Sequence, residues 1–147
     1  MEGKPQSPAL VMRVMKIVFI VSGVLFFFVA LKLPNNASQP PTPKIQLLLT
    51  VLALSNVVFG FNAKRLVARG ADAPPKNVPV STQRGQWMTA GVVSLAFFES
   101  CILFGFVLHF LGAPFWRVEL LFGVGLIAML FWSPGTPPGT EGNSLQG

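Results

Sequence analysis

QWMTAGVVSLAFFESCILFGFVLHF, running from Gln86 to Phe110, is the stretch that decides the fold. It holds 25 residues with no Lys, Arg or Asp, a single Glu at position 99 and a single His at position 109. A helix rises 1.5 Å per residue and needs ~20 apolar residues to cross the ~30 Å hydrocarbon core of a bilayer. The stretch therefore predicts a membrane span over about 87–110, with room for some tilt.

Three further apolar runs flank it. Gly112 and Pro114 predict a tight turn, after which Phe115 to Trp132 forms the next run, carrying Arg117 and Glu119 near its start. Trp116 and Trp132 suit the two interfacial belts, which favours a span over a re-entrant segment. Upstream, Ile45 to Ala63 is uncharged and followed by Lys64, Arg65, Arg69, Lys76 and Arg84 among Pro74, Pro75 and Pro79. This predicts a second span and a solvated basic loop over about 64–86. PNNASQPPTP (34–43) is a proline-rich connection, and the run before it, Ile17 to Leu31, is bracketed by Arg13, Lys16 and Lys32. Snorkelling lysines allow a first span over about 12–33, although a basic start followed by an apolar stretch also fits a signal peptide. The tail over 134–147 is rich in Pro and Gly and predicts disorder.

The composition agrees. Of 147 residues, 52% are hydrophobic and 11% charged, against roughly 45–50% and ~25% in soluble domains. Fourteen Phe, no Tyr, one Cys and one His leave little for a disulfide framework, a zinc site or a hydrolase triad. The eleven cations lie between apolar runs, not on an aromatic-laced patch, so the net charge of +6 reads as membrane orientation and not as nucleic-acid binding. With four spans, eight cations fall on the side of the N-terminus and the central loop, against Lys32, Lys44 and Arg117 on the other. The expected fold is an all-α integral membrane four-helix bundle with both termini cytoplasmic, in the cytoplasmic or inner membrane. Asn36-Ala-Ser38 fits a glycosylation acceptor on the outer side.

Glu99 falls at the midpoint of its span, where an acidic side chain costs roughly 2.5 to 3.5 kcal/mol. No Lys or Arg stands at that depth in the other runs. The midpoints of those runs bring Ser22 and Gly23, Ser55 and Asn56, and Gly123 and Gly125 to the same height. A neutral carboxyl hydrogen-bonded to Asn56 or Ser55, on the Ala53, Asn56, Gly60 face of the second helix, is the structural expectation; a face for another chain is the alternative. Gly91, Ser94, Phe98, Cys101, Gly105, Leu108 and Gly112 follow the alternating 3 and 4 spacing of a packing seam, most of them small. At about 100° per residue, Glu99 lies about 130° from the centre of that seam.

The stretch ESCILFGFVL (99–108) resembles the carboxylate helix of the proteolipid c subunits of rotary ATP synthases, over about fifteen residues around Glu99. In that family a membrane-embedded acid is followed by an aromatic, a glycine and an aliphatic run. The resemblance implies that Glu99 would be the proton- or sodium-carrying carboxyl, that Gly105 would give close packing, and that the protein would be oligomeric.

His109 lies ten residues beyond Glu99, about 15 Å along the helix, and is expected to face solvent or headgroups. Arg117 and Glu119 are expected as interface charges. No nucleophile or metal ligand accompanies Glu99, so no catalytic residue, metal or cofactor is expected. Two readings remain: an accessory or structural subunit that packs in a larger membrane complex through the small-residue seam, or an ion-handling protein using Glu99 with Asn56 and Ser55, enclosed by a homo-oligomer. The lipid bilayer is the partner in both.

Overall fold

The described residues form four helices, α1 (Pro8–Lys32), α2 (Pro43–Gly70), α3 (Val80–Phe110) and α4 (Phe115–Phe131). The computed structural model describes residues 7–34, 42–70 and 79–138. The glycosylation-like Asn36-Ala-Ser38, Lys4, Lys76 and the last nine residues of the tail lie outside the described residues.

Proline and hydroxyl side chains set the helix ends. The Ser7 hydroxyl accepts from the Leu10 amide at 3.3 Å, and Pro8 occupies the first turn, where a missing N–H costs nothing. Pro34 holds Leu33 in an extended conformation and stops α1. Between α3 and α4 the chain makes a Schellman turn: Ala113 N–H donates to Leu108 O at 2.9 Å and Gly112 N–H to His109 O at 3.1 Å. Gly112 has φ 81°, a left-handed conformation that a Cβ would strain. Gly112, expected in the packing seam, is thus a helix stop.

Three helices, α1, α3 and the Pro43–Ala63 part of α2, are long and apolar enough to cross a membrane. With 17 residues α4 is about 25 Å long, shorter than the expected fourth span requires. The basic loop is also shorter than expected, because α2 continues to Gly70 and α3 begins at Val80. Lys64, Arg65, Leu66, Ala68 and Arg69 are good helix formers, and a helix can continue past the apolar boundary where water takes up its exposed carbonyls.

The third helix is the spine. It packs against each of the other three, α4 also touches α1 and α2, and α1 and α2 make no contact with one another among the described residues. The core lies on the α4 side of α3, where Leu95, Phe98, Cys101, Ile102 and Leu108 meet Val118, Leu121, Phe122 and Met129. Missing side chains make the contact close. A Cβ on Gly125 would stand 3.0 Å from the Phe98 carbonyl oxygen and 2.6 Å from Ile102 Cγ1, and one on Gly105 would stand 3.2 Å from Leu121 Cβ. Gly91 is filled by the methyl end of Met12 from α1.

The first part of the tail is held against the helix ends, where disorder was expected from residue 134. Lys16 Nζ donates to the carbonyls of Leu130 at 2.9 Å and Trp132 at 2.8 Å, closing the C-terminus of α4. Trp87 Nε1 donates to Pro134 O at 2.8 Å, and Arg84 Nε to Pro138 O at 3.2 Å. Proline carbonyls accept these bonds although proline cannot donate, so a Pro-rich segment serves as a strap without forming a strand or helix.

Candidate functional site

The helix midpoints meet in space. Ser22 of α1 donates its hydroxyl to Glu99 Oε1 at 2.7 Å, and Asn56 Nδ2 of α2 donates to Ser100 Oγ at 2.9 Å. Gly125 of α4 backs onto the Phe98 carbonyl on the opposite side of α3, and Gly23 lies against Ile102. Small and polar residues of all four helices therefore share one level.

The bonding at that level differs from the expected trio. Glu99 is bound by Ser22 of the first helix and not by Asn56 or Ser55 of the second. Glu99 and Ser100 are one residue apart and so project about 100° from each other, which sends the carboxyl toward α1 and the hydroxyl toward α2. Asn56 thus finds Ser100, whose own hydroxyl proton goes to Phe97 O at 2.7 Å. Ser55 bonds within its own helix, to Val51 O at 2.8 Å, the intrahelical back-bond open to any Ser.

Gly91, Ser94, Phe98, Cys101, Gly105 and Leu108 are all buried. Cys101 Sγ lies 3.6 Å from Leu121 O, and Ser94 Oγ donates to Ala90 O at 2.9 Å. These residues are spent inside the molecule, chiefly on α4, so the seam presents no surface to another subunit. The surface that remains open is the other side of α3. Ala96, Leu103, Val107 and Phe110 are exposed along one stripe between α1 and α2. The Ser22–Glu99 pair forms one wall of this groove and the Asn56–Ser100 pair the other. On the α2 side a notch of about 310 Å³ is lined by Asn56, Val93, Ala96, Phe97 and Ser100.

Every buried side-chain nitrogen or oxygen among the described residues has a hydrogen-bond partner, and Glu99 Oε1 is the carboxyl oxygen that Ser22 engages. The second oxygen of Glu99 is therefore not fully buried, and the residue as a whole is half-buried. No group of three or more His, Cys, Asp or Glu that could hold a metal ion is found among the described residues.

Two polar residues far from this level are structural. His109 is buried, where a solvent- or headgroup-facing side chain was expected, and its Nε2 lies 3.0 Å from Leu33 O at the end of α1. The histidine thus ties the C-terminus of one helix to that of α3. Arg117 donates to Gln46 Oε1 and stacks over Trp116 at 5.1 Å, joining α4 to the start of α2. Glu119 is exposed.

Ser22, Ser100 and Lys16 are the partners that the sequence reading missed. Ser22 had a usable signal, being the sole hydroxyl in the first apolar run and level with Glu99. No protein family, curated protein or solved structure matches the chain.

Proposed function

We propose that this small multi-pass membrane protein is an accessory or structural subunit of a larger membrane complex, and that the open groove of α3 takes a transmembrane helix of another subunit. What supports the reading is the Glu99 carboxyl, at the midpoint of the apolar run by sequence count, half-buried and with one oxygen bound by Ser22. An acidic side chain at this depth costs roughly 2.5 to 3.5 kcal/mol, and one interhelical hydrogen bond returns about 0.6 to 2 kcal/mol. Roughly 0.5 to 3 kcal/mol is left for a second donor to recover. An incoming helix with a hydroxyl or amide at mid-height and a small residue facing the notch beside Ala96 would complete both walls. The membrane it occupies is the cytoplasmic or inner one, with both termini cytoplasmic, on the distribution of its cations.

Photo-crosslinking tests this directly. A photoreactive residue at Leu103 or Val107, in the groove, should give one discrete adduct with a single membrane protein in the native membrane, lost in Glu99→Leu. The same probe at Leu48, on the outer face of α2, should give none. Equal adducts from both faces, or none from the groove, would reject the reading.

The half-buried carboxyl, engaged through one oxygen by Ser22, favours one second reading, in which Glu99 takes up and releases a proton in a c-subunit-like oligomer. Proton flux and carbodiimide labelling in proteoliposomes should then vanish with Glu99→Gln; flux retained in that variant would exclude it.

A further inference from the structure

At the end of the molecule away from His109, the end of α4, the strap over 132–137 and the N-terminal turns of α1 and α3 line a cleft of about 420 Å³. Arg13, Lys16, Trp87, Leu130, Trp132 and Pro134 are among its walls, and no Asp or Glu among the described residues lines it. Arg13 has no hydrogen-bond partner among the described residues, so its five N–H donors are uncommitted. Lys16 uses two of its three N–H groups on Leu130 O and Trp132 O, leaving the third. The cleft therefore offers two positive charges, a planar fork of donors and no carboxylate among the described residues.

The side chains around it point to the ligand chemistry. Trp87 is a half-buried indole of the kind that settles at a headgroup boundary, with its N–H already satisfied by Pro134 O, while Trp132 turns inward against Phe98. Directly beneath, Ile127, Leu130 and Phe131 of α4 and Ile17 of α1 are exposed apolar side chains that could lie along acyl chains. One water occupies ~30 Å³ of liquid, so the cleft has room for a group on the order of ten heavy atoms. Arginine binds phosphate oxygens through paired N–H bonds. We propose that this cleft binds the phosphate of an anionic phospholipid, with Arg13 as the principal ligand and Lys16 as a second. A zwitterionic headgroup would leave the two cations uncompensated, so a net negative lipid is preferred. This site does not depend on whether the α3 groove takes a partner.

The test uses the full chain purified in neutral detergent, titrated with phosphatidylglycerol, with phosphatidylcholine of the same chain length, and with glycerol phosphate, and read by native mass spectrometry. Phosphatidylglycerol should bind most tightly, and Arg13→Gln should weaken it about five-fold, the effect of one cation near an anionic headgroup. Arg65→Gln removes an exposed cation toward the same end but outside the cleft and should leave binding unchanged. Helix content by circular dichroism should be the same in both variants, since Arg13 is exposed. An unchanged affinity in Arg13→Gln, or an equal loss in Arg65→Gln, would overturn the proposal, the latter by showing diffuse attraction. Glycerol phosphate binding as tightly as the lipid would overturn it in favour of a soluble phosphoester.

Discussion

Deleting the Ser22 hydroxyl and the Glu99 carboxyl, singly and together, measures the bond between α1 and α3. The 2.7 Å contact is short and only partly screened. Cycles between membrane helices average about 0.6 kcal/mol and reach about 1.7 kcal/mol. A hydroxyl donating to a carboxyl at mid-span belongs in the upper part of that range, so a coupling of about 1 to 1.7 kcal/mol is expected, or roughly five- to twenty-fold in the unfolding constant. Glu99→Ala alone is uninformative in sign, because it also removes a carboxyl from an apolar surrounding; the cycle cancels that effect. Reversible unfolding in mixed micelles, followed by tryptophan fluorescence across an SDS titration, supplies the four free energies. A parallel cycle of Glu99→Ala with Asn56→Ala should be additive within about 0.5 kcal/mol, since those side chains share no bond. Should Glu99 couple to Asn56 more strongly than to Ser22, the described arrangement of α1 and α2 around α3 would be wrong.

Gly125→Ala puts a methyl against the Phe98 carbonyl and Ile102 and should destabilise by about 1 to 3 kcal/mol in the same assay; Gly123→Ala, with nothing within 4 Å, should be neutral or stabilise by up to ~1 kcal/mol. Gly112→Ala forces a Cβ into the left-handed turn and should cost about 1 to 2 kcal/mol. Lys16→Met uncaps α4 and frees the strap, so amide exchange over 130–134 should accelerate and the melting temperature should fall. For orientation, a cysteine placed at Lys76 in a Cys101→Ser background should react with an impermeant maleimide only after the membrane is opened; labelling of intact cells would reverse the assignment.

Helix number and height were legible in the residues, whereas azimuth was not. Proline at 34, 43, 79 and 114 marks the helix boundaries because it cannot continue a hydrogen-bond ladder. Counting to the midpoint of each apolar run brings Ser22, Asn56, Glu99 and Gly125 to one level, since axial rise is fixed. Which neighbour a side chain meets depends on the order of helices around α3. A helix apolar on all sides, such as α1, carries little periodicity from which to read its buried face. Hence Glu99 could be separated from the Gly91–Leu108 seam by angle but not assigned to Ser22. The strap was hidden for another reason: Pro, Gly and Ser composition describes a segment without a core of its own, and the bonds that hold residues 132–138 come from Lys16, Arg84 and Trp87, distant in sequence.

Because α1 and α2 rest on α3 and, among the described residues, not on each other, the order of synthesis matters. The first two segments leave the ribosome with nothing to hold one to the other, and each must wait in the lipid as a solitary rod. Only when the third is delivered does either acquire a neighbour, so tertiary structure arrives late and nearly all at once. A nascent chain arrested before residue 80 would carry the first two helices without the one on which both pack.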